Sequence, residues 1–185
     1  LSLSPETLKR LDGALLPEPK VTTEQGSEKM SARPVVVGLG PAGMFCALLL
    51  AENGYAPIVL ERGADVDGRT AAVERFYRDG QLDPDSNIQF GAGGAGTFSD
   101  GKLLTRINDA RCSFALETLR DMGAPADITL QAKPHVGTDL LREVIVNLRQ
   151  EICSLGGEVR FDTKVEELLT EDGSVKGVRL ADGTC

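Results

Sequence analysis

The chain has 185 residues, of which 41% are hydrophobic and 4% aromatic, and its formal net charge at pH 7 is −8. This length suits one domain with an appendage, and the acidic charge gives no electrostatic support for a nucleic-acid partner. No apolar run is long enough for a membrane span, and no basic leader with an apolar core opens the chain. We therefore expect a cytoplasmic location.

The opening residues predict a small appendage to the main domain. Residues 4–16 have the spacing of a short amphipathic helix, with a serine N-cap and a proline at the first helical position. Residues 17–32 are polar and lack apolar periodicity, which indicates a linker. The expected division is residues 1–32 for the appendage and 33–185 for the main domain.

The most informative motif lies in residues 35–61, VVVGLGPAGMFCALLLAENGYAPIVLE. A valine strand, a glycine turn, an apolar helix and a second strand follow one another, which is the βαβ unit that binds a dinucleotide. Gly38 permits the tight turn, Gly40 lets the backbone approach a pyrophosphate, and Gly43 lets helix and strand pack closely. Glu61 ends the second strand, where a carboxylate can accept hydrogen bonds from ribose hydroxyls.

The helix that follows Gly40 adds to this predicted site. Its unpaired N–H groups and the positive end of its dipole would meet the phosphates at Pro41 and Ala42. Two alternatives stay open: an ordinary strand–turn–helix with an accidental acid and, for Glu61, a solvated strand-end charge beside Arg62.

A second glycine-rich segment, IQFGAGGAGTFSDGKL, occupies residues 88–103, and its glycines are Gly91, Gly93, Gly94, Gly96 and Gly101. Ordering such a segment costs conformational entropy, so its presence suggests that a ligand approaches the backbone closely. A simple NAD-binding unit has no use for a second glycine loop roughly fifty residues after the first, whereas the longer FAD molecule does. The sequence therefore predicts FAD, with a flexible surface loop or an irregular turn as the alternative.

The remaining elements complete an α/β pattern. Residues 66–78 and 109–122 predict helices, 127–132 a short strand, and 138–155 a helix capped by Thr138 or Asp139. Residues 159–161 predict a strand, and residues 165–183 a hairpin that turns at Asp172 and Gly173. We expect a Rossmann-like fold with a parallel sheet followed by antiparallel strands.

Four cysteines, Cys46, Cys112, Cys153 and Cys185, are scattered along the chain without a CxxC pair. The spacing predicts neither a metal site nor a disulfide framework. Cys46 follows the glycine turn on the first helix, and we expect it to be a small core residue.

Three segments resemble a known family. Residues 35–63, 86–107 and 133–169 are similar to poorly characterised bacterial FAD-dependent dehydrogenases of the glutathione-reductase-like, two-dinucleotide-binding-fold flavoprotein superfamily. The resemblance covers residues 34 to about 183. Within this resemblance, the segments GGAGTFSDGKL and PHVGTDLL are more specific to these dehydrogenases than the first glycine motif is.

This resemblance implies an FAD-dependent oxidoreductase with an unknown substrate and NAD(P)H as a candidate electron donor. It also implies that the strand at 158–161 is a parallel neighbour in the sheet, that the backbone of Val165 contacts the adenine, and that the hairpin begins an antiparallel β insertion. The family has a further N-terminal domain and a longer C-terminal part, so we expect a fragment that binds FAD weakly by itself. The paired cysteines of the superfamily's disulfide reductases are absent after the glycine segment, which disfavours a dithiol mechanism.

The sequence and the resemblance together nominate one set of cofactor-binding residues: Gly38, Gly40, Pro41, Ala42, Gly43, Glu61, Arg62, Arg69, Gly93, Gly94, Ala95, Gly96, Thr97 and Val165. The flavin ring itself would carry the redox chemistry.

Candidates for catalysis are fewer. Ser99, Asp100 and Lys102 would lie near the flavin ring, with Lys102 as a stabilising cation; the alternative is a polar turn and a solvated lysine. His135 is the sole histidine and is either an acid–base group or a structural residue before a helix. Arg106 could contact an anionic substrate or pair with nearby acids.

Two rival functions remain open at this point. One is an NAD(P)-dependent dehydrogenase that uses the βαβ unit alone. The other is a flavin-fold binding module without redox turnover. The sequence leaves the substrate, the electron acceptor and the oligomeric state undetermined.

Overall fold

The computed structural model describes residues 29–99, 101–103, 105, 107, 109, 111–131 and 133–185. The predicted opening helix lies outside these residues, as do most of the predicted linker and the candidates Asp100 and Arg106.

Five strands and four helices form the described part of the chain. The strands are β1 (Val35–Val37), β2 (Ile58–Leu60), β3 (Glu158–Arg160), β4 (Val165–Glu171) and β5 (Ser174–Leu180). The helices are α1 (Pro41–Glu52), α2 (Val66–Asp79), α3 (Arg111–Asp121) and α4 (Thr138–Ser154). Two short 3-10 turns cover Ala95–Phe98 and Ala126–Thr129.

The sheet has the predicted parallel topology. Its order is β1-β2-β3, with Val36 opposite Val59 and Val59 opposite Val159. Strands β4 and β5 form a separate antiparallel pair around the turn at Asp172 and Gly173. The structure therefore confirms the Rossmann-like α/β class and the place of β3 beside β2.

The core lies between the sheet and two helices. One face of α1 is buried, and its residues recur at intervals of three and four: Met44, Ala47, Leu48 and Ala51. It packs on the buried face of α4, which consists of Val144, Ile145, Leu148 and Ile152. Cys46 lies on the other face of α1 and is exposed, so its predicted place in the core is wrong.

Two local predictions are also wrong. Residues 126–129 form a 3-10 turn after Pro125 instead of a strand. Ile128 is fully buried while Leu130 is 87% exposed, so the alternation that suggested a strand does not put both side chains on one face. Helix α4 has Gly137 as its N-cap, without a side-chain cap, and Thr138 is already helical.

Arg33 ties together the amino ends of the strands. Its side chain donates hydrogen bonds to the carbonyl oxygens of Ala56 at 2.7 Å, Pro57 at 3.4 Å and Gly156 at 3.4 Å. It also pairs with the Glu158 carboxylate at 3.0 Å.

No helix in the described part of the chain combines the length and apolar content of a membrane span.

Candidate functional site

The turn at the carboxyl end of β1 is built around three glycines with different surroundings. Gly38 has a φ of +93°, which favours glycine, and its N–H donates to the Leu60 carbonyl at 2.8 Å. A Cβ on Gly43 would lie 1.9 Å from the Gly38 carbonyl oxygen, so α1 and the turn pack too closely for any side chain. A Cβ on Gly40 would meet nothing within 4 Å, which leaves that face of the turn open.

The first turn of α1 begins beside this open face. Gly40 is its N-cap, no described side chain caps it, and Pro41 is its first residue. Pro41 and Ala42 are both exposed. The N-terminal N–H groups and the positive helix dipole are therefore presented to the open face.

Glu61 is buried beneath the turn. Its side chain is 4% exposed and accepts hydrogen bonds from the Leu39 N–H at 2.7 Å and the Gly63 N–H at 2.9 Å. The alternative of a solvated charge beside Arg62 is therefore wrong. Arg62 instead donates to Asp85 at 2.8 Å through Nε and lies 4.8 Å over the ring of Phe90.

The second glycine-rich segment lies directly against the first turn. The Gly93 N–H donates to the Leu39 carbonyl at 2.8 Å. A Cβ on Gly94 would stand 3.0 Å from Pro41 Cδ and 3.4 Å from Gly40 Cα. Two segments that are far apart in sequence thus form one surface.

The predicted residues of this segment divide into two groups. Ala95 and Gly96 are exposed, and Gly94 is half-buried. Thr97 is fully buried, its hydroxyl donates to the Ala92 carbonyl at 3.4 Å, and it fills the space that a Cβ on Gly93 would need. The side chain of Thr97 therefore faces the interior and supports the segment from below.

Arg69 is also interior. Its fully buried guanidinium donates to five backbone carbonyl oxygens, at distances of 2.7 to 3.4 Å: those of Asn87, Ile88, Gly91, Ala92 and Gly94. Burial lowers the pKa of Arg69 to about 10, against the opposing effect of the Glu61 carboxylate, so the side chain stays charged at neutral pH. Its donors are directed at the glycine segment rather than at the open face.

Sequence reasoning missed an aromatic ring and a second cation beside Arg69. The Phe98 ring lies 4.8 Å from the guanidinium carbon of Arg69 and 4.7 Å from that of Arg142. Within the described residues, Arg142 Nε is buried without a hydrogen-bond partner. Phe98 lies within the motif GGAGTFSDGKL and Arg142 directly follows PHVGTDLL, but neither motif marks them as partners of Arg69. The packing of α4 against the glycine segment brings them there.

Two catalytic candidates from distant parts of the sequence are brought together. Lys102 and His135 face each other in an antiparallel bridge. The bridge is held by the Leu103 N–H on the Pro134 carbonyl and by the Val136 N–H on the Gly101 carbonyl, both at 2.9 Å. Opposed residues of such a pair project their side chains to the same face, and both side chains are exposed.

The two other nominated positions have simpler surroundings. The Ser99 hydroxyl donates to the Gly96 carbonyl at 3.1 Å, as a polar turn would. Val165 begins β4 just after Thr163, whose N–H donates to the Glu61 carbonyl at 2.9 Å. The start of β4 is thus tied to the strand end that carries Glu61.

Similarity to known proteins supports the fold and extends over most of the chain. No protein-family model matches it. An uncharacterised protein of Clostridium beijerinckii is 58% identical over 155 residues, which are 84% of this chain and 29% of that protein. The NADH:fumarate oxidoreductase of Klebsiella pneumoniae is 29% identical over 79% of this chain and 18% of its own length.

Two further matches are more distant. One polypeptide of the fumarate reductase (CoM/CoB) of Methanothermobacter marburgensis is 26% identical over 82% of this chain and 31% of its own length. The crystal structure of glycine oxidase from Bacillus cereus superimposes with a TM-score of 0.50 at 15% identity, over 82% of this chain and 53% of that one. The chain spans less than a third of each of the three sequence relatives.

Proposed function

We propose that this chain is the FAD-binding region of a longer flavin-dependent oxidoreductase, related to the bacterial FAD-dependent dehydrogenases. The observation that carries the proposal is the contact between the two glycine segments, from the Gly93 N–H to the Leu39 carbonyl at 2.8 Å. A second loop built onto the phosphate turn extends the surface beyond what a nicotinamide dinucleotide needs at its first βα turn.

The pyrophosphate is assigned to the open face at Gly40. The space there accepts an atom where a Cβ would stand, and the N-terminus of α1 offers N–H groups and a positive dipole. Glu61 holds the turn through Leu39, and a carboxylate has about four acceptor positions, so capacity remains for a ribose hydroxyl. These residues fit the phosphate and ribose groups of FAD.

The adenine, ribityl and ring portions of the cofactor are assigned from the positions of Val165 and of the second glycine segment. The backbone at Val165, tied to the Glu61 strand end through Thr163, is where we place the adenine contact. The half-buried Gly94 and the exposed Ala95 and Gly96 are assigned to the ribityl and ring portion. When bound there, FAD would supply hydride or electron transfer, which the protein side chains lack.

Lys102 and His135 are assigned to the substrate side of the flavin ring. Their side chains share one exposed face at the end of the glycine segment, where a cation and a protonatable ring could hold an anionic substrate or move a proton. The names of two relatives, both for enzymes of fumarate, support an anionic carboxylate as the substrate class, and one name supports NADH as the donor.

Ligand titration separates FAD from NAD as the bound dinucleotide. The longer protein, stripped of any yellow chromophore, is titrated separately with FAD, FMN and NADH. We expect FAD to bind at least about tenfold more tightly than either of the others, because only FAD reaches both glycine segments. Tight NADH binding with no FAD binding would establish the rival dehydrogenase instead.

Redox turnover is tested on the same preparation. Under anaerobic conditions, NADH or NADPH should bleach the flavin absorption, and fumarate should restore it. Replacement of Lys102 by Met should slow the second step more than the first while flavin content stays constant. A flavin that binds but is reduced by neither nucleotide would favour the binding module without turnover.

A further inference from the structure

Arg69 is the centre of the network that shapes the second glycine segment. Its guanidinium reaches the carbonyls of Asn87, Ile88, Gly91, Ala92 and Gly94, so residues 87–94 are wrapped around one buried cation. We call this network the arginine clamp. Since all three guanidinium nitrogens already donate to carbonyl oxygens, the cofactor contact that the sequence suggested for Arg69 is not what its geometry provides.

We infer that Arg69 is a positioning residue, which forms the second glycine segment into its cofactor-ready shape before any cofactor binds. The inference rests on the proposed function for the meaning of "cofactor-ready", but the shape itself belongs to the chain alone. A preformed segment does not have to be ordered when the cofactor binds, so less binding free energy is lost to ordering and the affinity is higher.

Glu61 connects the clamp to the phosphate turn. The Glu61 carboxylate holds the Leu39 N–H at 2.7 Å, and the Leu39 carbonyl in turn accepts from Gly93. Glu61 also raises the pKa of Arg69 against the effect of burial, as an opposite charge nearby does. One buried carboxylate and one buried guanidinium thus hold the two glycine segments side by side, and the Glu61 charge offsets part of the desolvation cost of Arg69.

Two glycines beside the clamp are explained by close packing on Arg69 and on the backbone of the segment that it holds. A Cβ on Gly91 would lie 2.6 Å from Arg69 Cδ, and a Cβ on Gly63 would lie 2.8 Å from Gly91 Cα. Gly91 therefore serves the packing of the arginine side chain rather than the approach of a ligand, and Gly63 serves the close approach of the Asp85 and Gly91 backbone. In this respect they differ from Gly40, where the space is open.

The chemistry of the clamp is specific to arginine. A guanidinium presents five N–H donors in a rigid plane, whereas a lysine ammonium presents three on a flexible stem. Five converging carbonyls would leave at least two without a partner if lysine replaced Arg69, and an unsatisfied buried acceptor is costly.

Hydrogen exchange of the flavin-free protein tests the clamp directly. The Gly93, Gly94 and Thr97 N–H groups all donate to backbone carbonyls, so they should exchange slowly in the wild type. In Arg69→Ala and Arg69→Lys they should exchange at least about tenfold faster, while the amides of α4 keep their protection. Arg78→Ala is the matched control, because Arg78 lies on the same helix with a side chain that is 70% exposed.

Chemical rescue provides the second measurement. Guanidinium or ethylguanidinium at millimolar concentration should restore protection to Arg69→Ala, since the vacated space matches the added ion. Ammonium at the same concentration should not. Rescue by guanidinium shows that the variant folds and that the missing group is the planar cation.

Two outcomes of these measurements overturn the inference. Equal exchange in wild type and Arg69→Ala would show that the segment holds its shape without the clamp. Loss of protection in α4 as well, without rescue, would make Arg69 a general core residue. If wild type fails to bind FAD while the clamp behaves as expected, the proposed function fails and the positioning role stands.

Discussion

The two ends of the parallel sheet use the same device in different surroundings. At the amino end, Arg33 gathers the carbonyls of Ala56, Pro57 and Gly156 and pairs with Glu158. At the carboxyl end, Arg69 gathers five carbonyls. The Arg33 side chain is 41% exposed, whereas Arg69 is wholly buried.

This difference shows what burial adds to an arginine that binds backbone carbonyls. At the exposed end, water can replace each hydrogen bond and salt screens the ion pair. At the buried end, the Arg69 side chain is shielded from solvent, and the cation depends on its carbonyls and on the Glu61 charge. The end that carries the candidate site is therefore the one where single substitutions should have large effects.

The largest effect is expected at the packed glycine of the carboxyl end. Gly43→Ala would place a methyl group 1.9 Å from the Gly38 carbonyl, which should destabilise the protein by about 3 kcal/mol or more because backbone must move. Urea unfolding measures this loss of stability. Gly40→Ala is the matched control: its methyl meets nothing within 4 Å, so stability should stay within about 0.5 kcal/mol. Equal midpoints for both variants would refute the packing account.

An intermediate effect is expected from the buried acid. Glu61→Gln keeps the shape but turns one acceptor into a donor that faces an N–H group, and it removes the charge near Arg69. We expect a loss of about 1 to 3 kcal/mol in the free energy of unfolding. Glu158→Gln at the amino end is the control and should cost less, since that carboxylate is 39% exposed. A larger loss from Glu158→Gln would reverse the comparison of the two ends.

The smallest effect is expected at Arg33. Arg33→Met should cost about 1 kcal/mol or less, and the difference from wild type should shrink as salt is added. Hydrogen bonds from Arg160 and then from Arg33 lower the pKa of Glu158 below its ordinary 4.5. The stabilisation from this carboxylate is present above pH 4.5 and is lost as the pH falls through the lowered pKa. A cost that persists unchanged in acid and in high salt would show that Arg33 acts through packing.

The sequence predicted what depends on short-range spacing. The order of β1, glycine turn, α1, β2 and Glu61 follows from local patterns, and so does the hairpin around Asp172 and Gly173. The strand proposed for 127–132 failed because the burial of Ile128 is decided by its place after Pro125, not by alternation.

What the sequence could not show depends on contacts between distant segments. The donors of Arg69 reach carbonyls 18 to 25 residues away, and the ring of Phe98 meets Arg142 from another helix. The pairing of Lys102 with His135 likewise arises from the fold. Arg69, Lys102 and His135 could be nominated from the sequence, but their partners are evident only when the glycine segment is packed on the turn.

The most direct test of the central claim is the FAD affinity of Gly40→Val in the longer protein. A branched side chain there would enter the open face of the turn, since nothing lies within 4 Å of its Cβ position. We predict an unchanged melting temperature and FAD binding that is weaker by at least about tenfold. A variant that melts like the wild type and still binds FAD with wild-type affinity would contradict the assignment of this surface to the cofactor.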